Sequence, residues 1–435
     1  DHLRKEQTKD YDIEVYGLES IEKLQTILAR FGNVNLVGKS FGVLKLHYKD
    51  EDYDFSLPRL EKKSGKRHVD FKVTTKSNLE YKEAFKRRDF TINAIGYEIE
   101  TKKFIDPFGG IADLDSKILR HINDETFIED PLRVYRGVQF AARFELDIDT
   151  STLRLCRDMV QNGMLEYLPK ERIYGELKKL LLLSPRPSVG FELMRTLGIL
   201  TYFPELEAII DIPQSPIYHP EGDVWRHTMM TIDEMAKLKT SDEKQKERLM
   251  LAALCHDFGK ATHTQSKNGK ITAIGHEKSG IAPMRSFIGR LTYEKRLADS
   301  IEPLILYHLA PLQFYKSGAK AAAIRRLSTK VDIEELVLLA TADTLGRTTN
   351  EAKTGVYQAG EWLLQEAKKL GVYNEAPKPL LKGRDLIELG LKPSAKFKKI
   401  LEELYNRQIN GEFTTKQEAL VWLQSSSLLA EISSL

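Results

Sequence analysis

Three acidic residues alternate with apolar ones in the stretch "TKDYDIEVYG" near the beginning of the chain. Strict alternation over a short run predicts a half-buried β-strand, on which Asp10, Asp12 and Glu14 share one face. Carboxylates placed one residue apart on a strand can hold Mg²⁺ between them. Taken alone, the pattern is equally typical of a solvated outer face next to a turn at Gly17.

A second acidic strand and a basic segment follow. "DYDFSLP" predicts a strand with Asp52, Asp54 and Ser56 on one face, and the residues from Arg59 to Arg88 are strongly basic. Acids that hold a metal ion, next to cations that bind phosphate, suit a site for phosphoryl chemistry. A solvated charged loop is the alternative, but the separation of the two signs along the sequence favours the site.

A mixed α/β region must position these residues. "LESIEKLQTILARFG" has apolar residues at helical spacing and ends at Gly32, where we expect the helix C-cap. "GVLKLHY" and "DYDFSLP" predict two strands joined by the polar turn "KDE". From about Ile111 onward strand patterns nearly disappear and amphipathic helices follow, such as "IEELVLLATADTLG". The sequence therefore predicts an α+β protein, with an α/β head followed by an all-helical body.

The composition excludes several classes of protein. The chain has 435 residues, of which 41% are hydrophobic and 30% charged, values that are ordinary for a folded protein of several domains. A net charge of +3 is too small by itself to indicate nucleic acid. Cys156 and Cys255 lie in apolar helical patterns, which predicts buried free thiols and a reducing cytoplasm. No apolar run reaches the length of a membrane span, so we expect no membrane partner.

Five motifs occur in order in the first part of the chain: "KDYDIEVYG", "DYDFSLPR", "RRDFTINAIGYE", "DPFGGIADL" and "EDPLRVYRGVQFAARF". Together they resemble the motifs of the class II tRNA nucleotidyltransferases, which comprise the bacterial CCA-adding enzymes and their poly(A) polymerase relatives. The resemblance covers most of the chain and is strongest over residues 1–180. It implies a polymerase-β-like nucleotidyltransferase head.

The resemblance assigns roles to the acidic residues. In this family a DxD pair on a strand binds the catalytic metal ions, and Asp10 and Asp12 match that pair as ligands of Mg²⁺. Asp54 matches a third carboxylate on a neighbouring strand. One ion would lower the pKa of the attacking 3′-hydroxyl, and the other would hold the triphosphate and the leaving group. Glu14 has no role in the motif, so we expect it on a solvated face.

"RRDFTINA" resembles the family's nucleotide-binding motif. Arg88 would contact phosphate, and Asp89 and Asn93 would contact the sugar or the loop, whereas we expect Phe90 to pack in the core. The basic loop after Arg59 resembles the mobile loop that family members use when they change from C to A addition.

"EDPLR" resembles the base-reading motif of the family. Asp130 and Arg133 are three residues apart, and we expect them on the same side of a helix. A carboxylate accepts from a base amino group and a guanidinium offers paired donors, so the two side chains could read C or A. Arg136 would reach phosphate or base. A surface ion pair is the alternative, and the following motif "ERIYGEL", with Arg172, is expected only to support this region.

A second set of histidines and aspartates occurs in five later stretches that together resemble an HD domain: "HPEGDVWRHT", "LAALCHDFGKAT", "AIGHEKSG", "LILYHLAPL" and "LLATADTLG". The resemblance gives the metal-ligand set His227, His256, Asp257, His276, His308 and Asp343. Imidazole and carboxylate ligands suit a divalent transition metal such as Mn²⁺, Ni²⁺, Co²⁺ or Fe²⁺, with Mg²⁺ as the alternative. Relatives with this domain are associated with hydrolysis of phosphate esters, including 2′,3′-cyclic ends. A vestigial structural domain is the other interpretation.

The resemblance divides the chain into four expected domains: a catalytic head at 1–110, a helical neck with the nucleotide-reading motif at 111–205, the HD domain at 206–350 and a tRNA-binding tail at 351–435. The basic helix of the tail fits sequence-independent contacts with phosphates. Asp1 matches the last residue of the family's "GGxVRD" turn, which grips the triphosphate. We expect the rest of that turn to precede Asp1 in the native protein.

The function implied by the resemblance is template-independent addition of CMP and AMP to the tRNA 3′ end, with a possible phosphohydrolase activity of the HD domain. The expected partners are tRNA, CTP and ATP, while the oligomeric state stays open. A poly(A) polymerase or a partial A-adding or CC-adding enzyme of the same family is one alternative. A non-catalytic tRNA-binding protein is the alternative from another class.

Overall fold

The structure is a computed structural model that describes residues 3, 11–37, 42–63, 71–393 and 396–426, without the side chains of residues 60–63 and 71–75. Asp10 and residues 64–70 of the basic segment after Arg59 lie outside the described residues. The chain forms two compact units, Asp1–Ile173 with Thr196–Gly198, and Tyr174–Arg195 with Ile199–Leu435. The division into four domains stays a prediction.

The described residues contain strands in both units: β1 (Tyr11–Glu14), β2 (Val34–Val37), β3 (Val43–Tyr48), β4 (Glu51–Ser56), β5 (Arg59–Lys63), β6 (Phe71–Thr75), β7 (Gly96–Glu98), β8 (Lys103–Ile105), β9 (Ile118–Leu119), β10 (Asp147–Ile148), β11 (Gln265–Lys267) and β12 (Lys270–Thr272). The helices are α1 (Ile21–Leu28), α2 (Tyr81–Phe85), α3 (Gly110–Asp115), α4 (Asp124–Ile128), α5 (Leu132–Phe144), α6 (Thr150–Gln161), α7 (Lys170–Leu183), α8 (Pro187–Leu197), α9 (Pro204–Glu207), α10 (Val224–Lys237), α11 (Glu243–Cys255), α12 (Lys260–His263), α13 (His276–Ser279), α14 (Ile281–Leu291), α15 (Lys295–Tyr307), α16 (Ala310–Ser317), α17 (Ala321–Ser328), α18 (Ile333–Leu345), α19 (Asn350–Lys353), α20 (Gln358–Lys369), α21 (Gly383–Glu388), α22 (Lys396–Asn410) and α23 (Lys416–Ser425). The predicted α+β class is confirmed.

A four-stranded sheet in the first unit has the order β1-β4-β3-β2. Strand β1 runs parallel to β4, and the other neighbours are antiparallel. One face of the sheet packs on α1 through a core of leucines, Leu24, Leu28, Leu44, Leu46 and Leu57. Because side chains alternate along a strand, Asp12 and Asp54 lie on the opposite face, away from this core.

Helix α1 is shorter than the sequence predicts. It begins after Ser20, whose side chain accepts from the backbone N–H of Lys23 at 3.3 Å, and it is capped at Ala29. The expectation of a C-cap at Gly32 is therefore wrong. A Cβ at Gly32 would lie 3.0 Å from the backbone oxygen of His47 on β3, so the glycine allows a close approach of two backbone segments.

An aromatic cluster joins the segment "RRDFTINA" to α4 and α5. Phe90 is fully buried, and its ring packs edge-on against Phe127 at 5.6 Å and Phe140 at 5.9 Å between centroids. The predicted core position of Phe90 is confirmed. Since Arg88 and Asp89 precede this ring directly, the cluster fixes their positions relative to α5.

The second unit is built from helices α9 to α23 and the hairpin β11–β12, with most of α7 and of α8. As predicted, strands nearly vanish after Ile111: the described residues beyond it form only the short strands β9 and β10 and this hairpin. Asn268 and Gly269 both have positive φ, which is the geometry that an Asn-Gly turn favours between two antiparallel strands. The turn signal is present in "KNGK", but the flanking strands are too short to produce a clear alternation.

Helices α21, α22 and α23 share a core of their own, made of Leu381, Leu386, Leu391, Ile400, Leu404, Phe413, Ala419 and Leu423.

Both cysteines are buried and free, as predicted, and burial raises the pKa of the Cys156 thiol to about 12. Across the part of the chain that the structure describes, no helix combines the length and the apolar character that crossing a membrane requires.

We expect Phe90→Ala to lower the free energy of unfolding of the first unit by about 3–5 kcal/mol, because it leaves a cavity beside the rings of Phe127 and Phe140. Urea unfolding followed by circular dichroism, with hydrogen exchange of α5, measures the effect. Phe31→Ala is the matched control, since Phe31 is 58% exposed and its loss should stay within about 0.5 kcal/mol. Equal effects of the two substitutions would contradict this assignment of the core.

Candidate active sites

Two predicted carboxylates meet on the open face of the head sheet. Asp12 on β1 is the register partner of Asp54 on β4, so the two side chains emerge side by side on adjacent strands. Oδ1 of Asp54 is buried and has no hydrogen-bond partner among the described residues; Nζ of Lys45 on β3 lies 3.6 Å from it. An unpartnered carboxylate oxygen beside a second carboxylate fits the oxygen ligands that a divalent cation prefers.

The neighbouring acid on β4 is engaged elsewhere. Oδ1 of Asp52 lies 2.8 Å from Nδ1 of His47 on the adjacent strand, and both side chains are exposed. Asp54 thus differs from Asp52 in facing Asp12 rather than a histidine. Asp10, the other half of the predicted pair, falls outside the described residues.

Glu14 does not lie on a solvated face, as the sequence suggested. Its side chain is largely buried and accepts hydrogen bonds from Nη2 of Arg87 and from the hydroxyl of Tyr16, each at 3.1 Å. Burial and the nearby Glu14 raise the pKa of Tyr16 well above its ordinary value, so the phenol stays a donor. The expectation was wrong because the partner, Arg87, is distant in sequence. Glu14 anchors the residue that precedes Arg88.

Arg88 lies close to the carboxylate face. Its Nη1 donates to the backbone oxygen of Asn93 at 3.0 Å, and its Nε is buried without a hydrogen-bond partner in the described part of the chain. Burial lowers the pKa of Arg88, and Arg87 adds to this effect. The carboxylates of Glu14 and Asp12 act in the opposite direction. The guanidinium is thus held near Asp12 and keeps an unused donor.

Asp89 is a buried carboxylate with both oxygens occupied. Oδ1 accepts from the backbone N–H of Phe90 and from Nδ2 of Asn93, each at 2.9 Å, and Oδ2 accepts from Nε of Arg136 at 2.6 Å. Burial alone would raise the pKa of Asp89, but Arg136 holds it below the ordinary value. Within the protein, Asp89 therefore orients Asn93 and Arg136.

The expectation that Asp130 lies on the same helix as Arg133 is wrong. Asp130 precedes α5, and its Oδ1 accepts from the backbone N–H of Leu132 at 3.2 Å. Its Oδ2 instead accepts from Nη2 of Arg172 on α7 at 3.0 Å. Since Arg172 was expected only to support the region, this direct contact was missed. The motif "ERIYGEL" was the only signal for it.

Arg133 is fixed by backbone oxygens rather than by a carboxylate. It donates through Nη1 to the oxygen of Thr126 at 2.7 Å and through Nη2 to the oxygen of Arg87. Burial lowers the pKa of Arg133, and the charges of Asp89 and Asp130 oppose this. The motifs "RRDFTINA" and "EDPLR" are therefore joined directly, and Asp130, Arg133 and Arg136 all belong to one network.

The second unit brings all six predicted histidine and aspartate ligands together. Nε2 of His227 on α10 lies 3.0 Å from Oδ1 of Asp343 on α18 and 3.9 Å from Oδ2 of Asp257. Nε2 of His256, at the end of α11, lies 3.2 Å from the same Oδ2. His227, His256 and Asp257 form one buried group whose ligand atoms could hold a metal ion.

A second buried group uses the other oxygen of Asp257. Oδ1 of Asp257 lies 3.3 Å from Nε2 of His276, which is 3.2 Å from Nε2 of His308. A Cβ at Gly259 would lie 2.0 Å from the backbone oxygen of His276, so this glycine allows the "HDFGK" turn to pack against α13. Asp257 is shared between the two groups, which is the arrangement expected of a two-ion site.

Backbone carbonyls orient three of the imidazoles. In each ring, Nδ1 donates to the backbone oxygen of the residue three positions earlier in the chain. The distances are 2.8 Å from His256 to Ala253, 2.7 Å from His276 to Ala273 and 2.6 Å from His308 to Ile305. Because a carbonyl only accepts, Nδ1 carries the proton and the lone pair of Nε2 points into the cluster, as in metal-binding histidines. Burial lowers the pKa of His308 to about 3, which keeps this ring neutral.

Glu221 and His219 belong to the same cluster but were not predicted. Oε1 of Glu221 lies 2.9 Å from Nδ1 of both His219 and His227, and Oε2 accepts from the backbone N–H of Thr348 at 3.2 Å. Although burial opposes ionisation, these histidines hold the pKa of Glu221 well below its ordinary value. The spacing in "HPEGDVWRH" was a usable signal, because Glu221 stands between two histidines.

Two cations accompany the carboxylates and were also missed. Nζ of Lys260 lies 2.6 Å from Oδ2 of Asp257 and donates to Oε1 of Gln214 at 2.7 Å. Nη2 of Arg347 lies 2.7 Å from Oδ1 of Asp343. These residues line a cleft of about 850 Å³ together with His276 and His308. Carboxylates, imidazoles and cations at one cleft suit metal-assisted chemistry on a phosphate ester.

Family models match both units at the regions just described. The Poly A polymerase head domain matches residues 1–120, the "Probable RNA and SrmB- binding site of polymerase A" matches residues 145–210, and the HD domain matches residues 224–348. The fold and the sites thus define a nucleotidyltransferase head that is followed on the same chain by an HD domain.

Curated relatives identify the family. The multifunctional CCA protein of Mannheimia succiniciproducens is 37% identical over 326 residues, covering 72% of this chain and 75% of the relative. That of Pasteurella multocida is 32% identical over 396 residues, covering 88% and 89%. The chain belongs to the family of multifunctional CCA proteins, which confirms the resemblance to tRNA nucleotidyltransferases with an HD domain.

Solved structures support the same fold. The apo form II of a CCA-adding enzyme has a TM-score of 0.60 at 19% identity, covering 97% of this chain and 88% of that one. The Bacillus stearothermophilus CCA-adding enzyme in complex with CTP has a TM-score of 0.61 at 21% identity, covering 94% and 87%. The Thermotoga maritima CCA-adding enzyme complexed with tRNA has a TM-score of 0.56 at 19% identity, covering 98% and 87%.

We expect the shared Asp257 to control both metal groups. Asp257→Ala should abolish tight binding of Ni²⁺, whereas His308→Ala should remove only the ion of the second group, because His308 offers a ligand atom only to that group. Equilibrium dialysis followed by mass spectrometric metal counting measures the stoichiometry. His263→Ala on α12 is the control and should keep both ions. Complete loss of metal in His308→Ala would contradict the division into two groups.

Proposed function

We propose that this chain adds CMP and AMP to the 3′ end of tRNA from CTP and ATP. The observation that carries the proposal is the in-register pair Asp12 and Asp54 beside Arg88, in a chain of the multifunctional CCA protein family. Structural neighbours are described as CCA-adding enzymes in complexes with CTP, with ATP and with tRNA. In the reaction the 3′-oxygen of tRNA bonds to the α-phosphorus, the bond from that phosphorus to the bridging oxygen breaks, and pyrophosphate leaves.

Nucleotidyltransferase heads use divalent metal ions, and we propose Mg²⁺ here. Asp12 and Asp54 would hold it, with Asp10 from the same motif. Bound Mg²⁺ would activate the attacking hydroxyl and stabilise charge on the phosphates. The chain's own cations support this role, because Lys45 is 3.6 Å from Asp54 and Arg88 keeps a buried, unused Nε. We assign Arg88 to the phosphates of the incoming nucleotide.

Asp130, Arg133 and Arg136 are proposed to select the base. C and A each present an amino donor and a ring-nitrogen acceptor on the Watson–Crick edge, so a carboxylate acceptor beside a guanidinium donor complements both. G and U present a carbonyl and a ring N–H in the reverse positions. The contacts support the assignment, because Arg172 holds Asp130, Asp89 holds Arg136, and backbone oxygens hold Arg133. Asp89 and Asn93 then act mainly as positioning residues.

The HD domain is proposed to hydrolyse a phosphate ester such as a 2′,3′-cyclic end. A water oxygen would bond to phosphorus, the bond from phosphorus to one ribose oxygen would break, and that oxygen would take a proton. HD domains use divalent metals, and the imidazole-rich groups favour Mn²⁺, Ni²⁺, Co²⁺ or Fe²⁺ over Mg²⁺. The complete ligand set argues against a vestigial domain. Conversion of 2′,3′-cyclic AMP to adenosine 2′- or 3′-phosphate, assayed with each metal in turn, tests this activity.

The helical tail is proposed to hold the body of tRNA. Lys396, Lys398 and Lys399 are exposed at the start of α22, where cations can meet phosphates without reading sequence. The buried, free cysteines agree with the reducing cytoplasm that we propose as the location. A poly(A) polymerase and partial A-adding or CC-adding enzymes remain the alternatives, and a non-catalytic tRNA-binding protein is the alternative from another class.

Incubation of tRNA lacking CCA with each labelled nucleotide, separately and together, distinguishes these functions. The proposed activity gives CMP incorporation from CTP and AMP incorporation only after it. Incorporation of ATP alone into varied RNAs would indicate a poly(A) polymerase. Binding of tRNA without incorporation would indicate the non-catalytic protein.

We expect Asp54→Ala to lower kcat for nucleotide addition about a thousandfold, because loss of a metal carboxylate removes several kcal/mol of transition-state stabilisation. The affinity for tRNA should stay nearly unchanged in a filter-binding assay. Asp52→Ala is the matched control, since Asp52 lies on the same strand and face but pairs with His47. Similar rates in the two variants would remove Asp54 from the site.

Asp130→Ala and Arg172→Ala should both weaken discrimination against UTP and GTP, about tenfold or more, because an unpaired or misplaced buried polar group costs about 1–3 kcal/mol. Incorporation of all four nucleotides into tRNA ending before CCA measures the ratio. Arg157→Ala, on the exposed side of α6, is the control for Arg172→Ala. If both variants lose rate equally for all four nucleotides, the pair is only structural.

A further inference from the structure

Three large apolar side chains stand at the mouth of the HD cleft without packing in a core. Ile217 is 77% exposed, Tyr218 59% and Ile274 86%, and all three line the cleft. Ile217 and Tyr218 lie in the segment before α10, and Ile274 lies between β12 and α13. Apolar groups exposed together at a cleft, on two separate segments, mark a surface that a ligand covers.

The inner part of the same cleft is suited to an anion. Lys260 and Arg347 line the cleft beside the carboxylates of Asp257 and Asp343. Lysine and arginine side chains are the usual protein ligands of phosphate. The cleft thus offers a charged inner end and an apolar outer end to one ligand.

The size of the cleft is larger than a phosphate ion requires. Its volume of about 850 Å³ lies within the range of clefts that bind drug-sized molecules. A ligand that fills it must carry a sizeable apolar or aromatic portion in addition to the phosphate. Of the biological phosphate esters, a nucleoside carrying a phosphate on its ribose has this shape and division of polarity.

We propose that Ile217, Tyr218 and Ile274 form a nucleobase clamp that makes the HD domain prefer nucleoside substrates to base-free sugar phosphates. The proposal rests on the phosphohydrolase function proposed above. The Tyr218 ring supplies a stacking surface with Ile217 beside it on the same segment, and Ile274 supplies apolar contact from the other segment. Because every base has a π-face, such a clamp favours bases in general over base-free sugars rather than one particular base.

Steady-state hydrolysis of two substrates tests the clamp. One is 2′,3′-cyclic AMP and the other is methyl riboside 2,3-cyclic phosphate, which has the same ester but no base. Tyr218→Ala and Ile274→Ser should each raise KM for cyclic AMP about tenfold with little change in kcat, and should leave the base-free substrate unaffected. Equal changes for both substrates, or no change for either, would overturn the clamp.

Two exposed residues of the same unit provide matched controls. Tyr293 and Ile387 are exposed and do not line the cleft, so Tyr293→Ala and Ile387→Ser should leave KM for both substrates unchanged. A concentration-dependent dimer in sedimentation velocity that Tyr218→Ala disrupts, together with unchanged KM, would assign the apolar residues to a contact with a second copy and overturn the proposal.

A binding measurement under conditions without hydrolysis tests the clamp independently of the proposed hydrolase activity. Equilibrium dialysis of adenosine 2′-phosphate and ribose 2-phosphate against the full chain in EDTA should show tighter binding of the nucleotide, and Tyr218→Ala should remove the difference. Absence of hydrolysis with this preference intact would contradict only the hydrolase. Equal binding of the two ligands would overturn the clamp.

A tRNA ending in a 2′,3′-cyclic phosphate identifies the source of the ligand. If Tyr218→Ala raises KM for this tRNA as it does for cyclic AMP, the clamp holds the terminal base of an RNA. If only cyclic AMP is affected, the clamp serves free nucleotides.

Discussion

A buried charge needs hydrogen-bond or ion-pair partners within the protein, and in the first unit the buried carboxylate of Asp89 fixes the positions of the residues that supply them. Its two oxygens bind Asn93, the backbone of Phe90 and Arg136. Removing one partner of a buried ion pair typically costs about 3–5 kcal/mol, so these residues can hardly move independently. Because Arg133 also donates to the backbone of Arg87, the segment that carries Arg88 is tied to α5 from two sides. Asp12 and Asp54, by contrast, lie on the face of the sheet that does not pack on α1.

The buried carboxylates of the HD domain, Asp257 and Asp343, also need partners within the protein. Asp257 and Asp343 are compensated by Lys260 and Arg347 as well as by imidazoles. Burial would otherwise raise the pKa of both carboxyls, but these neighbours hold it well below the ordinary value. The carboxyls of Asp257 and Asp343 therefore stay ionised although they are buried.

Local patterns in the sequence predicted those residues whose neighbours are close along the chain. Alternation placed Asp12 and Asp54 on strand faces, because the period of a strand is fixed, and their parallel register then brought them together. The helical position of Asp130 was predicted wrongly because Pro131 separates it from α5, and its contact with Arg172 was missed because Arg172 comes from α7.

Other positions depended on contacts that no local pattern reveals. Glu14 is buried only because Arg87 reaches it, and Gly32 is explained by a backbone that approaches from β3 rather than by a helix end. In the HD domain the motifs predicted the six ligands. Glu221 became apparent only through its position between two imidazoles, and the Asn-Gly turn at Asn268 was not enough to predict the hairpin around it.

The carbonyl contacts of the three histidines have a consequence for metal choice. Since Nδ1 of each ring is already held by its own backbone turn, the Nε2 lone pairs are set in place before an ion arrives. The backbone turns, rather than a bound ion, thus fix the positions of these three nitrogen atoms. A divalent ion held there would have to accept the geometry that the protein presents, because ligand type and geometry, more than raw affinity, decide which metal a site selects.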